Sequence, residues 1–445
     1  MSDAIVEVVH CIDTEGPLHE PLSATFARLS YVFGVDVEPS RANLERLQRG
    51  ELDLGGKEDA VRAMLAPDLL AYNDTWDKID AMLHDVMSDE YRQRYADSDG
   101  NGWVFNWHCG DHVGYAGNPR RRDIGYHNVF QHYQDMLRET GSNQDGVHFH
   151  YHPMPFSGQA NHCATHWFAH SDTLFQVMAR RLIDHLWFPS VNRPGFHTTR
   201  PDSHWFLEQF VPFDYASQAY QEDGDQPDLG GGRFGDWRRA PRNWQPYHPS
   251  HDDYQVAGAC RRSVFRCLNV GTRARLLRQD DVDQAFAEAR DGKPTVLAFA
   301  DHDYRDLRPD VEAVHTMLTS AAKRFDGVKF RHAEGRAAAR RALGLAQTAP
   351  CKLTLEIKEG RGHIESDKPI FGPQPFLALK TRNGDYRHDN LDIHEPFKRW
   401  SYVLDEQTIP IDALEVVGVG ACDQNGNVSV AVFHVVEGRY AHRTL

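Results

Sequence analysis

The sequence predicts an α/β fold over residues 1–346, followed by a smaller all-β part over about 350–445. Three observations predict it. Strand-length apolar runs alternate with segments of helical period from Ala4 to Leu345. The first run, Ala4–Ile12 (A-I-V-E-V-V-H-C-I), is β-branched and reads as a buried strand of a parallel sheet. Beyond Ala349-Pro350 the pattern changes to strands and turns, with Asn383-Gly384 and Asn425-Gly426 as hairpin signals.

The first strand ends in Asp13-Thr14-Glu15-Gly16-Pro17. Parallel α/β folds place their chemistry at the C-terminal ends of strands. Two carboxylates there suit a division of labour, one binding metal and one free as a base; simple turn chemistry is the alternative. Residues 18–101 read as a helical insert. Ser40 caps a helix to Arg49, and Leu69–Tyr95 carries the stripe Ile79, Leu83, Val86 and Met87. Asp97–Gly102 (D-S-D-G-N-G) reads as a turn, since it lacks the spacing and terminal Glu of a calcium loop.

Trp103–Cys109 is the next strand, with His108, Asp111 and His112 at its end. These residues, Asp111 among them, are candidates to line a substrate pocket, or else form a satisfied polar cluster in a loop. Pro119–Arg122 (P-R-R-R) is a basic patch able to grip an acidic group on a substrate, or a solvated loop. Asp123 caps an amphipathic helix to Arg138.

Val147–Pro153 (V-H-F-H-Y-H-P) carries His148, His150 and His152 in alternation. An extended segment puts all three imidazoles on one face, and a helical turn pairs His148 with His152. Either way two neutral imidazoles can converge on one divalent cation with a carboxylate as third ligand. A helix follows over Ala169–Asp184, then a short strand at Leu186–Ser190. Arg193, in Asn192–Phe196 (N-R-P-G-F), can hold a catalytic carboxylate by a bidentate pair; Arg200 and Arg262 compete for that role. Gln221–Asp253 reads as an ordered loop or lid, because Trp237, Trp244 and Tyr247 are too apolar for a tether. A helix over Asp280–Gly292 precedes the strand Thr295–Ala300, which ends in Asp301-His302-Asp303. A His between two Asp suits a general acid, since a carboxylate neighbour fixes its tautomer and raises its pKa. Helices over Val311–Arg324 and Glu334–Leu345 close this part. Five strands then follow: Cys351–Ile357, Phe376–Lys380, Trp400–Leu404, Val416–Cys422 and Val428–Val436.

The formal net charge is −15, from 49 Lys and Arg against 64 Asp and Glu. That disfavours a nucleic-acid or anionic-membrane surface. Seven scattered Cys without C-x-x-C pairs suggest reduced thiols. No signal peptide and no apolar run near membrane-span length is visible, so the expected location is cytoplasmic. The oligomeric state is left open.

In this order, four of these segments resemble the motifs of the polysaccharide deacetylase (NodB-homology) family. They are Asp13-Thr14-Glu15-Gly16, His148–His152 with Pro153, Arg193-Pro194-Gly195-Phe196, and His302 after V-L-A-F-A-D; Asp214–Ser217 (D-Y-A-S) is also similar. The resemblance implies a distorted (β/α) barrel with insertions. It implies a divalent metal, with Zn²⁺ expected, held by Glu15, His148 and His152. Asp13 would be the base, Arg193 would orient Asp13, and His302 would protonate the leaving amine. Asp111, His150 and Asp301 are then expected to bind substrate, with His150 also able to replace His148 or His152. The implied activity is removal of an acetyl group from an N-acetylated sugar or glycan precursor. Hydrolysis of another small amide, or non-catalytic glycan binding, are the alternatives. The sequence departs from the family in the residue separating the two acids, in the extra His150, in the large insert and in the β-rich C-terminal part, which reads as an accessory or carbohydrate-binding module.

Overall fold

The β-branched run at the N-terminus becomes the strand on which the barrel closes. The computed structural model describes residues 4–155, 157–159, 172–220 and 234–444. Eight parallel strands form the first part. They are β1 (Ala4–Thr14), β2 (Phe105–Cys109), β3 (Gly146–Tyr151), β4 (Val191–Pro194), β5 (Phe213–Ser217), β6 (Ser263–Asn269), β7 (Thr295–His302) and β8 (Val328–His332). Strands β1 to β7 pair in sequence order and β7 pairs back onto β1, so seven strands close a barrel. The long β1 serves two neighbours on its other side. Its second half, His10–Thr14, pairs with β2, and its first half, Ala4–Val8, pairs with β8.

Alternation along β1 decides what faces the lumen. Val9 and Cys11 join Val191, Phe213, Tyr215, Phe265, Cys267, Val296, Ala298 and Ala300 in one buried cluster. Ala338 and Ala339 of the helix Gly335–Ala342 belong to the same cluster and plug the barrel at the N-terminal ends of its strands. Tyr215 Oη donates to Gly335 O (2.6 Å), fixing the plug. The alternate residues Val6, Val8 and Ile12 face the helical layer with Val129, Phe130, Val282 and Phe286.

The insert has two parts. Helices Leu22–Phe33, Arg41–Arg49 and Glu58–Met64 enclose a small core of their own around Phe26, Leu29, Leu47 and Val61. The expected helix over Leu69–Tyr95 is instead two helices, Trp76–Val86 and Asp89–Arg94. Ser88 breaks the run because its side chain accepts from Tyr91 N and caps a new helix. Likewise the helix expected from Asp123 begins at Asn128. Asp123 accepts from Trp76 Nε1 (3.1 Å) and Asn128 Nδ2 instead. The insert is tied to the loop after β7 through Asn73, which donates to Tyr304 O, Asp303 O and Arg305 O.

Two further departures concern strands. Leu186–Ser190 forms no strand, and the strand begins at Val191. Trp187 and Phe188 join the main helical-layer core instead. Of the expected lid, Trp237 and Trp244 are fully buried and bound through Nε1 to His197 O and Asp281 O. Residues 221–233 of that stretch, and 160–171 around the start of the expected helix at Ala169, lie outside the described residues. The visible helix is Thr173–His185. The six described cysteines are buried and unpaired. Among the described residues no helix is long and apolar enough to cross a membrane.

The C-terminal part is two antiparallel sheets. Its strands are β9 (Leu353–Lys358), β10 (Arg361–Ser366), β11 (Phe376–Thr381), β12 (Tyr386–Asp389), β13 (Asp392–Glu395), β14 (Arg399–Val403), β15 (Leu414–Cys422), β16 (Val428–His434) and β17 (Arg439–Thr444). The sheet orders are β13-β14-β10-β9 and β12-β11-β15-β16-β17. Leu355, Ile364, Trp400, Leu379 and Val419 form their shared core. Both Asn-Gly pairs sit in hairpins, joining β11 to β12 and β15 to β16.

This part packs on the barrel through close backbone approaches. A Cβ at Gly372 would lie 1.7 Å from Gln209 O, a backbone atom that cannot rotate away. Gly372→Ala is therefore expected to destabilise the chain by about 1–3 kcal/mol, the usual cost of overpacking. Thermal unfolding would show it as a lowered Tm; an unchanged Tm would mean that the two parts are not held there.

Candidate metal centre

Strand periodicity brings Asp13 to the lumen at the C-terminal end of β1, in register with His302 on β7 and His108 on β2. Glu15 lies one step past the strand end, where the ladder no longer fixes it. Other groups do so. Asp303 accepts from Glu15 N (2.9 Å) and Gly16 N (2.8 Å), and also from Tyr133 Oη (2.9 Å). His112 Nε2 donates to Glu15 O (2.6 Å). Gly16 sits at φ +67 against Trp76, a conformation that glycine adopts without strain. Burial pushes the Asp303 carboxyl up to about 7 despite these donors.

The histidines on β3 are separated by height. Residues two apart on a strand share a face but stand about 6.6–6.8 Å apart. His150 and His152 reach the mouth, while His148 stays below. His148 Nε2 lies 3.0 Å from Asn106 Oδ1 and 3.3 Å from Glu334 Oε1, at the plugged end. Burial lowers its pKa to about 4. The structure therefore does not bring His148 to Glu15. The expected trio of Glu15, His148 and His152 becomes Glu15, His150 and His152, because β3 is extended through Tyr151 and only neighbouring alternate positions can share one ion.

Within this trio one atom from each residue lies within 4.8 Å of the others. Glu15 Oε1 is 3.7 Å from His150 Nε2 and 3.4 Å from His152 Nε2. Ligands at about 2.0–2.1 Å from a tetrahedral ion are about 3.3 Å apart, so these spacings suit one. The tautomer suits it too. His150 Nδ1 donates to Arg193 O (2.8 Å), which leaves Nε2 with its lone pair. Among the described residues, neither His150 Nε2 nor His152 Nε2 has a hydrogen-bond partner, although both atoms are buried. Burial opposes ionisation of Glu15, but Arg122, His150 and His152 hold its carboxyl well below the usual range. Arg122 Nη2 binds the other oxygen, Oε2, at 2.5 Å, so Oε1 is the oxygen turned to the imidazoles. A buried carboxylate and two imidazoles with free lone pairs fit a divalent cation.

His152 depends on a missing side chain. A Cβ at Gly195 would come within 2.6 Å of its ring. Gly195→Ala is expected to displace His152 and to weaken any divalent-metal binding at this trio by at least ~10-fold, the scale of a lost orienting contact. Competition with a chromogenic chelator would measure it; unaltered affinity would remove His152 from the site.

Asp13 lies beside this trio. Arg193 Nε donates to its Oδ1 at 2.6 Å, and Nη1 donates to Tyr215 O (3.1 Å), so the fully buried guanidinium is fixed. Arg262 and Arg200, the other candidates, are occupied elsewhere by Asp214 and Asp202. His302 Nε2 is 3.7 Å from Asp13 Oδ2. Burial lowers its pKa to about 4, against the opposing pull of Asp13 and Glu15. The sequence expectation of a raised pKa is thus reversed. Asp301, in register with Ile12, points outward and pairs with His10 Nε2 (3.1 Å), while Asp303 is taken by the Glu15 loop.

Neither a scan against protein-family models nor a search of curated proteins finds a match.

A cavity of about 160 Å³ opens on Asp13, Glu15, His152 and His302. Asp301 and Asp111, expected to bind substrate, are not in its wall. Asp111 is held by Arg181 and by His127 N. The wall instead includes Tyr72, Arg122, His197, Tyr304 and Arg305. Of these, sequence reasoning singled out only Arg122, as part of a basic patch. Tyr304 and Arg305 come two and three residues after His302, and that closeness was the one signal available for them.

Proposed function

We propose that the chain is a metal-dependent hydrolase that removes an acetyl group from an N-acetylated sugar or glycan precursor. The observation that carries this reading is the convergence of Glu15 Oε1, His150 Nε2 and His152 Nε2 beside an Arg-held Asp13 and a pocket-facing His302. A divalent cation bound there would supply Lewis acidity and a water of lowered pKa.

The chain's own groups handle the proton. Asp13 Oδ1 is occupied by Arg193, so Oδ2 is the oxygen free to take a proton from the attacking water. The proton then has a 3.7 Å path to His302 Nε2. An imidazole with a pKa near 4 enters neutral, and once protonated it is a strong donor to the departing nitrogen. The four-motif resemblance to polysaccharide deacetylases points to the same division of roles, with His150 taking the place first expected for His148.

Zinc-loaded protein incubated with N-acetylated sugars should release acetate and a free amine. Protein that takes up no divalent metal with Glu15, His150 and His152 intact would end this reading. The small cavity also suits another small amide, and a product screen over non-sugar amides separates the two. Full biological activity in a His302→Ala variant would favour a glycan-binding role instead.

A further inference from the structure

The pocket wall carries an excess of positive charge. Five arginines line it, Arg28, Arg120, Arg122, Arg273 and Arg305, against the three carboxylates Asp13, Glu15 and Glu20. The chain as a whole has a net charge of −15, so composition does not explain this concentration. Three of the five are accounted for. Arg28 and Arg120 share Glu20 (2.6 and 2.7 Å), and Arg122 holds Glu15. Asp13 is neutralised by Arg193.

Among the described residues, Arg273 and Arg305 have no carboxylate at ion-pair distance, though Glu20 feels Arg273 from further off. Arg273 donates to the carbonyls of Met64 (3.0 Å) and Leu69 (3.2 Å), which orient it without cancelling its charge. Arg305 lies against the rings of Tyr72 (5.2 Å) and Tyr304 (5.1 Å). It is 8 % exposed, and among the described residues its Nε has no hydrogen-bond partner. Asp310 feels Arg305 without an ion pair to it, and burial with the neighbouring Asp301 pushes its carboxyl up to about 8. A buried guanidinium with no counter-ion is costly. A planar fork of donors facing a pocket is what recognition of a carboxylate or phosphate requires.

We propose that Arg305 and Arg273 form an anion clamp, and that the substrate carries a carboxylate or phosphate group besides its scissile amide. The clamp adjoins the chemistry, since Arg305 N donates to His302 O (3.1 Å) in one tight turn. An anion gripped there orients the amide toward Asp13 and His302. The insert gains a role as well. Tyr72 and the carbonyls of Met64 and Leu69 come from it and shape the clamp. An N-acylated sugar acid or sugar phosphate fits this wall better than a neutral polymer. The amide half of the inference rests on the hydrolase reading above; the anion half does not.

The test is calorimetric titration of the full chain, treated with chelator, with inorganic phosphate and separately with acetate. Saturable binding of at least one is expected, and the stronger of the two names the group. Arg305→Gln and Arg273→Gln should each weaken it by at least ~10-fold, the scale of a lost charge-assisted hydrogen bond. Arg305→Lys should weaken it less, and Arg439→Gln, far from the pocket, should leave it unchanged. Absence of saturable binding, or binding indifferent to Arg305→Gln in a variant that melts like the parent, overturns the clamp. Zinc content of the parent protein is read in parallel. Anion binding lost in Arg305→Gln with no zinc in the parent would sink the hydrolase reading and leave the clamp standing. Equal kcat/KM for neutral and acidic N-acetyl sugars would do the reverse.

Discussion

Replacing His150 by alanine is expected to abolish metal binding, whereas replacing His148 is not. The two histidines lie on the same face of β3, and sequence spacing alone ranks them equally. Height in the barrel separates them. His150 Nε2 faces Glu15 Oε1 and has no other partner, while its Nδ1–H is spent on Arg193 O. Removing it takes away one of the three candidate ligands. Loss of an outer-shell partner already costs about 10–100-fold in metal affinity, so loss of a ligand should exceed ~100-fold. His148 is held between Asn106 and Glu334 beside the plugging helix, which Glu334 caps through Arg336 N and Ala337 N. His148→Ala should keep the metal stoichiometry of the parent and lower stability by about 1–3 kcal/mol, from a lost buried hydrogen bond. Elemental analysis after dialysis, beside thermal unfolding, reads both outcomes. Zinc retained in His150→Ala and lost in His148→Ala would invert the centre.

The misplacement of His148 shows what period can and cannot tell. Alternation correctly puts His148, His150 and His152 on one face, but it carries no information about which level of a barrel another strand's residues occupy. That level is set by where β1 ends, and Glu15 lies beyond that end, held by Asp303 and His112 from elsewhere in the chain. The same effect misled at β7. Continuing the strand to His302 sends Asp301 outward to His10, so the carboxylate expected to assist His302 never faces it. The long apolar strands β1 and β7 were legible because both their faces are buried. β6 (S-V-F-R-C-L-N) and β8 (V-K-F-R-H) were not, because charged residues interrupt them. In the C-terminal part the strands with apolar cores were legible, while β10, β12, β13 and β17 were missed. Of these, β12, β13 and β17 are sheet edges, where polar residues meet solvent rather than a second neighbour. The residues alone left Arg193, Arg200 and Arg262 as rivals for a carboxylate; the pairing of Arg193 with Asp13 was legible only through the family resemblance.

Asp13→Asn should cut kcat by about 10²–10⁴, the usual contribution of a positioned base, while leaving zinc content unchanged. Asparagine keeps the size of the side chain and can still accept from Arg193 Nε through its carbonyl oxygen. It places an NH₂ where Oδ2 would receive the proton, so chemistry is lost and architecture is kept. Asp13 is not one of the three residues whose atoms converge, so the metal should stay. The role of Arg193 follows from the same geometry. It touches Asp13 Oδ1 and is not part of the cavity wall, so any effect on the proposed reaction would pass through Asp13. If it works by orienting that carboxylate, Arg193→Lys should be costly alone and add little once Asp13 is Asn. Residues acting as one unit are strongly non-additive in this way. A cycle of the two single variants and the double variant, read as kcat with zinc content as control, decides it. Full additivity would mean that Arg193 serves the fold and not the base, and an Asp13→Asn variant as active as the parent would remove the base from the mechanism altogether.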